Sequence, residues 1–319
     1  MPKLSEMKGK TAQKALVFGP PKTGKTQLIG GLSKEFNIIW FDLEAGKDTL
    51  LKLPIEQQER ITLISIQDTI EAPRAHATID TIIKGGDFHI CDNHGSVKCG
   101  ICSKDDKAEW TDIHIPTSIA DGGSETIIVI DSLSQLTTSI NSTCNKHLNS
   151  AITIDWAPSR KDKDSMAEYE FQMKYLNRIM SSIQNAPFHV ACTAHEIEAE
   201  REDGGVRIVP SIGTKNYAIN SAKYFGHVIY MDKINLQHKG FSDTGYSNRI
   251  LTGSRLDVAL EGMDEMSLLP IFRGEHGIGR GNRQAQATAV LSNVTNTITN
   301  QAGAASKPAF TLPGIGVKK

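Results

Sequence analysis

The apolar residues of this chain fall into short continuous runs that alternate with longer amphipathic stretches. The runs are rich in β-branched residues, as in Thr126-Ile-Ile-Val-Ile-Asp131, which is typical of strands buried on both faces. Strands are predicted at residues 14–18, 37–42, 61–66, 126–131 and 188–193, and helices at 24–35, 69–84, 133–147 and 165–184. This alternation predicts an α/β fold with a mostly parallel central sheet flanked by helices.

Other segments depart from this alternation. Residues 225–233 and 248–252 are predicted to close the sheet as antiparallel edge strands. Residues 85–123 are rich in Gly, Cys, His and Asp, so they are predicted to be an insertion outside the sheet. Residues 281–319 contain few large apolar side chains and are predicted to be a flexible, disordered C-terminal tail that follows a domain of residues 1–280.

Composition and charge narrow the class of protein. With 319 residues, 39% of them hydrophobic, the chain is long enough to bury a large core. Its apolar runs are too short to cross a bilayer, and its first residues do not resemble a signal peptide. We therefore expect a soluble cytoplasmic protein without membrane contact. If the source is viral, this means the cytoplasm of the host. The net charge of −1 argues against bulk attraction to nucleic acid. Residues 281–319 carry four basic side chains and no acidic one, so the net charge of residues 1–280 is −5.

A glycine-rich loop stands between the first predicted strand and the first predicted helix. Its sequence, Gly19-Pro-Pro-Lys-Thr-Gly-Lys-Thr26, is a complete phosphate-binding motif. Lys25 is expected to reach the β- and γ-phosphates, and the Thr26 hydroxyl to bind Mg²⁺. The alternative is a chance glycine-rich turn, which would not need a strand before it and a helix after it. The predicted nucleotide contacts are Gly19, Pro20, Pro21, Lys22, Thr23, Gly24, Lys25 and Thr26.

Two strand ends supply the acids that such a site needs. Asp131 ends one apolar run, and a carboxylate there holds Mg²⁺ through water in the Walker B arrangement, although an Asp at a strand end is also a common helix cap. The next residue is Ser132 rather than Glu, so the base that activates water must lie elsewhere. Glu44 follows the strand 37–42 and is the candidate base, with a solvated loop acid as the alternative.

The insertion contains a cluster of cysteine and histidine residues. Cys91 and His94 form one pair, Cys99 and Cys102 form another, and two residues separate the members of each pair. This spacing suits four ligands arranged tetrahedrally around a structural Zn²⁺, with His89 as a substitute for His94. The alternative is a loop of reduced thiols without metal. Zinc is favoured because a polar insertion has little else to fold around.

The order of these motifs resembles the RecA-type ATPase core. That core also has a phosphate-binding loop, a strand ending in a glutamate, here Trp40-Phe-Asp-Leu-Glu44, and a Walker B strand. A polar residue that senses the γ-phosphate follows a later strand of the family, and His195 occupies this position in place of the usual glutamine. The resemblance implies a RecA-like P-loop ATPase with ATP and Mg²⁺ as ligands and with Lys25, Glu44 and His195 as catalytic residues.

A closer resemblance is to the phage ATP-binding proteins of the Sak-four type, which are associated with single-strand annealing and recombination. It is carried by Asp42-Leu-Glu-Ala-Gly46 and Pro210-Ser-Ile-Gly213, and the RecA-type resemblance as a whole spans residues 14–255. It implies single-stranded DNA as a ligand, a homo-oligomer in which a neighbour's basic residue completes the ATP site, and a single-strand-binding protein as a partner. Candidates for that basic residue are Arg249, Arg255 and Arg273, with Arg255 preferred.

DNA contacts are predicted in two loops. The loop after the Walker B helix combines a tryptophan with three cations, which suits stacking on bases and pairing with phosphates, but an ordinary charged surface loop fits equally well. Residues 196–207 correspond to the family's second DNA-facing loop. They carry five acids and two arginines, so they bind phosphate poorly unless the arginines point inward. The DNA candidates are Trp156, Arg160, Lys161, Lys163, Arg201 and Arg207.

Two functions of different kinds fit these features. The first is a DNA-stimulated ATPase acting in recombination, annealing or replication. The second is a nucleotide-dependent switch or loader that controls a replication protein without direct DNA chemistry. A P-loop kinase is disfavoured, because Glu44 suits activation of water and no arginine-rich lid is evident.

Overall fold

The computed structural model describes residues 11–148, 165–200, 204–243 and 249–279. Its strands are β1 (Lys14–Phe18), β2 (Asn37–Asp42), β3 (Ile61–Ser65), β4 (Gly86–Cys91), β5 (Trp110–Ile115), β6 (Thr126–Asp131), β7 (His189–Ala194), β8 (Glu196–Glu200), β9 (Val206–Pro210), β10 (His227–Ile234), β11 (Gln237–Phe241) and β12 (Gly253–Ser254). Its α-helices are α1 (Lys25–Gly30), α2 (Lys47–Leu50), α3 (Ile55–Gln58), α4 (Ala75–Ile82), α5 (Leu133–Leu148), α6 (Ser165–Asn185), α7 (Lys215–Ser221) and α8 (Leu269–Phe272).

An eight-stranded sheet forms the centre of the fold. Its order is β11-β10-β1-β7-β6-β2-β3, and β12 also pairs with β10. The six strands from β10 to β3 run parallel. Only β11 and β12, both paired with β10, run antiparallel within the described part of this sheet. The predicted α/β fold with a mostly parallel sheet and flanking helices is therefore confirmed.

Both faces of this sheet are buried. On one face, Val17 and Trp40 pack in a single hydrophobic cluster with Ile29 of α1. The neighbouring strand residues Leu16 and Ile128 point to the opposite face and are also fully buried. Because each central strand buries both of its faces, the strand sequences are apolar without alternation.

The last strands of the sheet differ from the prediction. Residues 225–233 contain most of β10, which runs parallel to β1 rather than antiparallel at an edge. Residues 249–252, the described part of the predicted strand 248–252, precede the two-residue β12 instead of forming a strand. The unpredicted β11 pairs with β10 across a tight turn at Asn235 and Leu236, whose φ angles are 50° and 64°. The first five residues of β10 are all buried, which is typical of a parallel strand covered on both faces rather than of an edge strand.

Two of the predicted helices are shorter than expected. The first ends at Gly30 and continues only as a 3₁₀ turn over Gly31–Lys34. The second begins at Ala75 rather than at residue 69, because Asp68 Oδ1 accepts the backbone N–H groups of Arg74 and Ala75 at 2.6 and 2.8 Å. Both α5 and α6 match their predicted ranges to within one residue.

Two small antiparallel sheets lie outside the central sheet. One is β4 paired with β5, within the predicted insertion 85–123. The other is a hairpin of β8 and β9, where the sequence predicts a loop. The predicted tail, residues 281–319, lies outside the described residues. Over the described ranges, no helix combines the length and the apolar character needed to cross a membrane.

Candidate functional site

The loop between β1 and α1 has a backbone geometry that requires glycine at both ends. Gly19 and Gly24 have φ angles of 146° and 89°. A Cβ atom on Gly19 would lie 2.1 Å from the carbonyl oxygen of Met231, because β10 runs alongside β1. The Thr23 hydroxyl donates to the Pro20 carbonyl oxygen at 2.8 Å and closes the loop. This shape fits the predicted cradle of backbone N–H groups around phosphate.

Lys25 turns back into this loop. Its ammonium group donates to the carbonyl oxygens of Gly19 at 3.0 Å and Pro20 at 2.7 Å. Burial lowers the pKa of Lys25, whereas the charges of Glu44, Asp131 and Glu196 act to raise it. The ammonium group thus lies among acids at the place from which it would reach the terminal phosphates.

Asp131 connects the loop with the neighbouring strands. Thr26 Oγ1 donates to Asp131 Oδ2 at 3.1 Å, although the two residues are 105 positions apart. The Thr193 hydroxyl on β7, which the sequence analysis missed, donates to the other carboxylate oxygen. Burial raises the pKa of Asp131 to about 6, and the charges of Glu44 and Asp42 contribute to the rise. A cation would relieve this destabilisation, so Thr26 and Asp131 fit the predicted Mg²⁺.

Glu44 lies just after β2, beside the end of β6. Its Oε1 accepts a hydrogen bond from the Ser132 hydroxyl and lies 3.1 Å from His195 Nε2. Asp42 shapes the turn that presents it, because Asp42 Oδ1 accepts the N–H groups of Glu44 at 3.1 Å and Gly46 at 3.0 Å. The structure therefore brings Glu44 and His195 together, and their catalytic roles stay predictions. It adds Ser132, whose position directly after the Walker B aspartate was the signal that could have identified it.

His195 is fixed where β7, β9 and α5 meet. Its N–H donates to Ser134 Oγ at 2.9 Å, and its carbonyl oxygen accepts the Ser211 N–H at 2.8 Å. The Ser134 hydroxyl in turn donates to the Ser211 carbonyl oxygen at 2.9 Å. These bonds hold the base of the β8–β9 hairpin to the first turn of α5, directly beside Glu44.

A cavity of about 910 Å³ opens beside Glu44 and His195. Its walls come from the ends of β2 and β3, from the first turn of α5 and from Ser211. Most of the lining residues have polar side chains, among them Gln67 and Gln135. Glu44 lines the cavity, whereas no residue of the phosphate loop, all of which is described, does so. The cavity gives water a route to the candidate base.

Comparison with known families agrees with this geometry. The profile of the AAA domain family matches residues 11–232, more than half of the chain. The chain belongs to the AAA domain family. This membership supports the predicted P-loop ATPase, while the narrower Sak-four type stays a prediction. Among solved structures, the crystal structure of the RadB recombinase is similar to this AAA domain chain, with 16% identity and a TM-score of 0.34 over 70% of this chain and 76% of that one. A comparison with curated proteins finds no match.

The insertion within this AAA domain brings the predicted metal ligands together. One ligand atom each from Cys91, His94, Cys99 and Cys102, here called the cysteine cluster, all lie within 4.8 Å of one another. His94 Nδ1 lies 3.2 Å from Cys102 Sγ and 3.4 Å from Cys99 Sγ. These distances are close to the separation of roughly 3.6 Å that nitrogen and sulfur ligands have around tetrahedral zinc. The side chains present therefore fit the predicted ion.

His89, the alternative ligand, is not part of the cysteine cluster. Its Nδ1 lies 2.6 Å from Asp112 Oδ1, and its ring stacks on Trp110 with an interplanar angle of 3°. The strand β4 explains the difference, because it carries His89 into a cross-strand pair with Asp112 while Cys91 reaches the turn. The prediction that His89 could replace His94 as a metal ligand is therefore wrong.

The cysteine cluster is attached to the central sheet through the turn that follows His94. The His94 carbonyl oxygen accepts the Gln67 N–H at 3.2 Å. Gly95 has a φ of 62°, and a Cβ atom on it would lie 2.4 Å from the Ser65 carbonyl oxygen. Since Gln67 also lines the cavity beside Glu44, the insertion supports one wall of that cavity.

Two of the three candidate trans-acting arginines lie away from the phosphate loop of their own AAA domain. Arg273 pairs with Glu35 and Glu275, and Glu35 stands just before β2. The Arg255 N–H donates to the Gly226 carbonyl oxygen at 3.0 Å, just before β10. Both therefore lie at the N-terminal edge of the parallel sheet, opposite the phosphate loop. Arg249 lies beside β9, where its carbonyl oxygen accepts the Ile208 N–H. Action on a neighbouring subunit stays a prediction for each.

Only one of the DNA candidates is described by the structure. Trp156, Arg160, Lys161, Lys163 and Arg201 lie outside the described residues. Arg207 lies on β9 opposite Ala199. Because side chains alternate along a strand, Arg207 is on the opposite hairpin face from Glu196, Glu198 and Glu200.

Proposed function

We propose that this AAA domain binds ATP with Mg²⁺ and hydrolyses it, and that it acts as a homo-oligomer on single-stranded DNA in recombination, annealing or replication. The observation that carries the ATPase proposal is the 3.1 Å contact of Thr26 with Asp131 beside Glu44. A phosphate loop, a metal-binding carboxylate and a candidate base meet at one point. A loop that only bound phosphate would not need a candidate base beside it.

Each of these residues has a task in the proposed reaction. The backbone N–H groups of Lys22, Thr23 and Gly24 and the Lys25 ammonium group would hold the β- and γ-phosphates. Mg²⁺ on Thr26 and Asp131 would stabilise the charge on the phosphate oxygens. Glu44 would accept a proton from water that enters from the cavity. The Ser132 hydroxyl and His195 both contact Oε1 of Glu44, so they would fix its carboxylate for that step.

Nucleotide binding and steady-state hydrolysis separate these tasks. Lys25→Ala should lose nucleotide binding. Glu44→Gln should keep binding but lose at least about a hundredfold in kcat, the usual contribution of a general base. Glu56→Gln removes an exposed acid on α3 and serves as the matched control. Full hydrolysis by Glu44→Gln would remove Glu44 from the mechanism.

The DNA role is supported by the position of the β8–β9 hairpin. The hairpin begins directly after His195, so a ligand on it would act one residue away from the candidate γ-phosphate sensor. Hydrolysis measured with and without single-stranded DNA tests this role, and Arg207→Ala should weaken any stimulation. If single-stranded DNA neither binds nor changes the rate, the DNA role is excluded.

One observation favours the second candidate function, a nucleotide-dependent switch or loader for a replication protein. The hairpin face formed by Glu196, Glu198 and Glu200 is acidic and repels DNA phosphates. Such a face suits a protein partner better than a nucleic acid. Nucleotide-dependent binding of a single-strand-binding protein in the absence of DNA, together with a rate that DNA does not change, would support this function over the first.

We also propose that the cysteine cluster holds a structural Zn²⁺. Three thiols and one imidazole form a ligand set that zinc prefers, and the three cysteines are at most 4% exposed, so no position is open to a substrate. Metal analysis should find one zinc per chain in the parent and in His89→Gln, and none in the double variant Cys99→Ser/Cys102→Ser. A zinc content near zero in the parent, purified without chelator, would overturn the proposal.

The oligomer is tested by its mass in solution and by complementation. Arg255→Ala should lower hydrolysis if Arg255 completes the site of a neighbour. Mixing it with Glu44→Gln should restore part of the activity, because one type of interface then combines an intact Glu44 with an intact Arg255. A monomer at all protein, nucleotide and DNA concentrations would exclude this arrangement.

A further inference from the structure

Asp68 connects the segment after β3 to two helices. Its Oδ1 accepts the backbone N–H groups of Arg74 and Ala75, at the start of α4, at 2.6 and 2.8 Å. The same oxygen accepts the Ser139 hydroxyl of α5 at 2.8 Å, and Oδ2 accepts the Gln135 side-chain amide at 3.4 Å. Both carboxylate oxygens therefore have partners, and hydrogen bonds to a carboxylate are stronger than those between neutral groups.

The helix α5 carries these contacts to the candidate base. Gln135 and Ser139 are four residues apart on one face of the helix, so Asp68 fastens its first two turns to the segment after β3. At the start of the same helix, the Ser132 hydroxyl accepts the Gln135 backbone N–H at 3.2 Å and donates to Glu44 Oε1. The place of the Glu44 carboxylate therefore depends on where the first turn of α5 lies.

The contact of Oδ2 goes beyond what folding of α4 requires. The start of α4 and the bond to Ser139 both use Oδ1, so an aspartate with that task alone could leave Oδ2 to solvent. Instead Oδ2 bonds to Gln135, and the side chains of both residues line the cavity beside Glu44. This contact lies in the wall of the candidate site.

The insertion contacts the segment that carries Asp68. The Gln67 N–H donates to the His94 carbonyl oxygen at 3.2 Å. A Cβ atom on Gly95 would lie 2.4 Å from the Ser65 carbonyl oxygen, so the two backbones are in direct contact. The turn that bears a ligand of the cysteine cluster therefore packs against residues 65–67, immediately before Asp68.

We propose that Asp68 is a positioning residue for Glu44 that acts through the first turn of α5, and that the cysteine cluster holds Asp68 in place. The inference rests on the proposed role of Glu44 in hydrolysis. It gives the insertion, which lies outside the central sheet, a task in the reaction without any contact with the nucleotide. Asp68 contacts neither the phosphate loop nor Lys25, so its loss should change the rate of hydrolysis and not the affinity for nucleotide.

Steady-state hydrolysis and nucleotide binding of Asp68→Asn test the first half of the proposal. Asparagine keeps one oxygen for the donors of Oδ1, but its NH₂ group cannot accept the Gln135 amide. We expect kcat to fall about tenfold, which corresponds to one lost hydrogen bond, with the nucleotide Kd and the melting temperature unchanged. Glu71→Gln removes an exposed acid three residues away and should change none of these. Hydrolysis by Asp68→Asn at the parent rate would overturn the assignment.

A double variant separates positioning of Glu44 from other effects on the rate. Ser132→Ala breaks the last contact of the connection, so adding Asp68→Asn to it should lower kcat no further. If the two reductions multiply instead, Asp68 affects the rate by a route that does not pass through Ser132, and the proposal is wrong.

Two variants of the insertion test the second half. Cys99→Ser/Cys102→Ser removes two ligands, whereas Gly95→Ala keeps all four and presses a new Cβ atom on the Ser65 carbonyl oxygen. Both should lower kcat by a factor similar to that of Asp68→Asn, leave the nucleotide Kd unchanged and speed hydrogen exchange over residues 65–68. Metal analysis should find the parent zinc content in Gly95→Ala. The parent kcat in both variants, or a lower kcat without faster exchange, would refute this half.

The parent protein distinguishes failure of this inference from failure of the proposed function. If the folded parent binds nucleotide without hydrolysing it, the proposed role of Glu44 fails and takes the inference with it. If the parent hydrolyses ATP, Glu44→Gln abolishes the activity and Asp68→Asn is silent, only the inference fails.

Discussion

Lowering the pH from 7 to 5 should destabilise this protein, because three of its histidines are buried in uncharged form. His76, His189 and His227 are 8%, 4% and 0% exposed. Burial lowers the pKa of each from 6.5 to about 4. The unfolded chain takes up protons near the ordinary value, whereas the folded chain does so only near the lowered one. The folded state is therefore favoured above this window, and its stability falls as the pH falls through it.

The surroundings of these side chains explain why each resists a proton. His189 Nδ1 accepts the backbone N–H of Gln13 at 2.9 Å, a bond that protonation would break. His227 lies within reach of the positive charge of Arg255, which adds to the effect of burial. His76 contacts neutral hydroxyl groups, among them Ser139 Oγ at 3.2 Å from Nδ1, and the charges of Asp68 and Asp80 only partly oppose its burial.

The size of the effect follows from the pKa values. Each histidine with these values loses about 2 kcal/mol of stability between pH 7 and pH 5, so the three together lose about 6 kcal/mol. Asp131, whose pKa is raised to about 6, gains protons on folding in this range and restores roughly 1 kcal/mol. A net loss of about 4 to 5 kcal/mol is a large part of the roughly 5–15 kcal/mol that stabilises a typical domain.

Urea unfolding of the ligand-free protein, followed by circular dichroism at pH 7, 6 and 5, measures this loss. His76→Gln should reduce the pH dependence by about 2 kcal/mol, the share of one histidine. His276→Gln changes an exposed histidine and should leave the pH dependence of the unfolding free energy unaltered. A zinc indicator in the same samples separates this loss from release of metal by the cysteine cluster. A free energy of unfolding that stays constant or rises from pH 7 to pH 5 would refute the reasoning.

Three other changes should have distinct outcomes. Gly19→Ala should abolish nucleotide binding and lower the melting temperature, because the new Cβ atom would lie 2.1 Å from the Met231 carbonyl oxygen; titration and thermal melting check both effects. Ser132→Ala should lower kcat about tenfold with an unchanged nucleotide Kd, because it removes one of the groups that hold Glu44, as steady-state kinetics would show. Chelation of the proposed zinc should speed hydrogen exchange in the turn after His94 and at the adjoining end of β3 while the rest of the central sheet stays protected.

Sequence patterns predicted the parts of this site that depend on neighbours in the chain. The phosphate loop, the strand ending in Asp131 and the spacing of the cysteine cluster are local features, and the structure has each where it was expected. The direction of β10 was predicted wrongly, although the continuous apolar run at its start is the pattern of a parallel strand buried on both faces. In the sequence, Glu196 is one of five acids in a predicted DNA loop. Its place close to the start of the phosphate loop depends on which strands flank β1, and no local pattern encodes that order.

The acids that converge on Lys25 explain why the proposed ligand is a magnesium nucleotide rather than a bare one. Glu44, Asp131 and Glu196 come from separate strand ends and all act on its ammonium group. Asp42 adds a further carboxylate whose Oδ2 is buried without a hydrogen-bond partner among the described residues. Carboxylates this close repel one another and would also repel the phosphates of a free nucleotide. A divalent cation would reverse both effects, so the acids that destabilise the ligand-free fold are the groups that would make Mg²⁺ and the proposed triphosphate bind together.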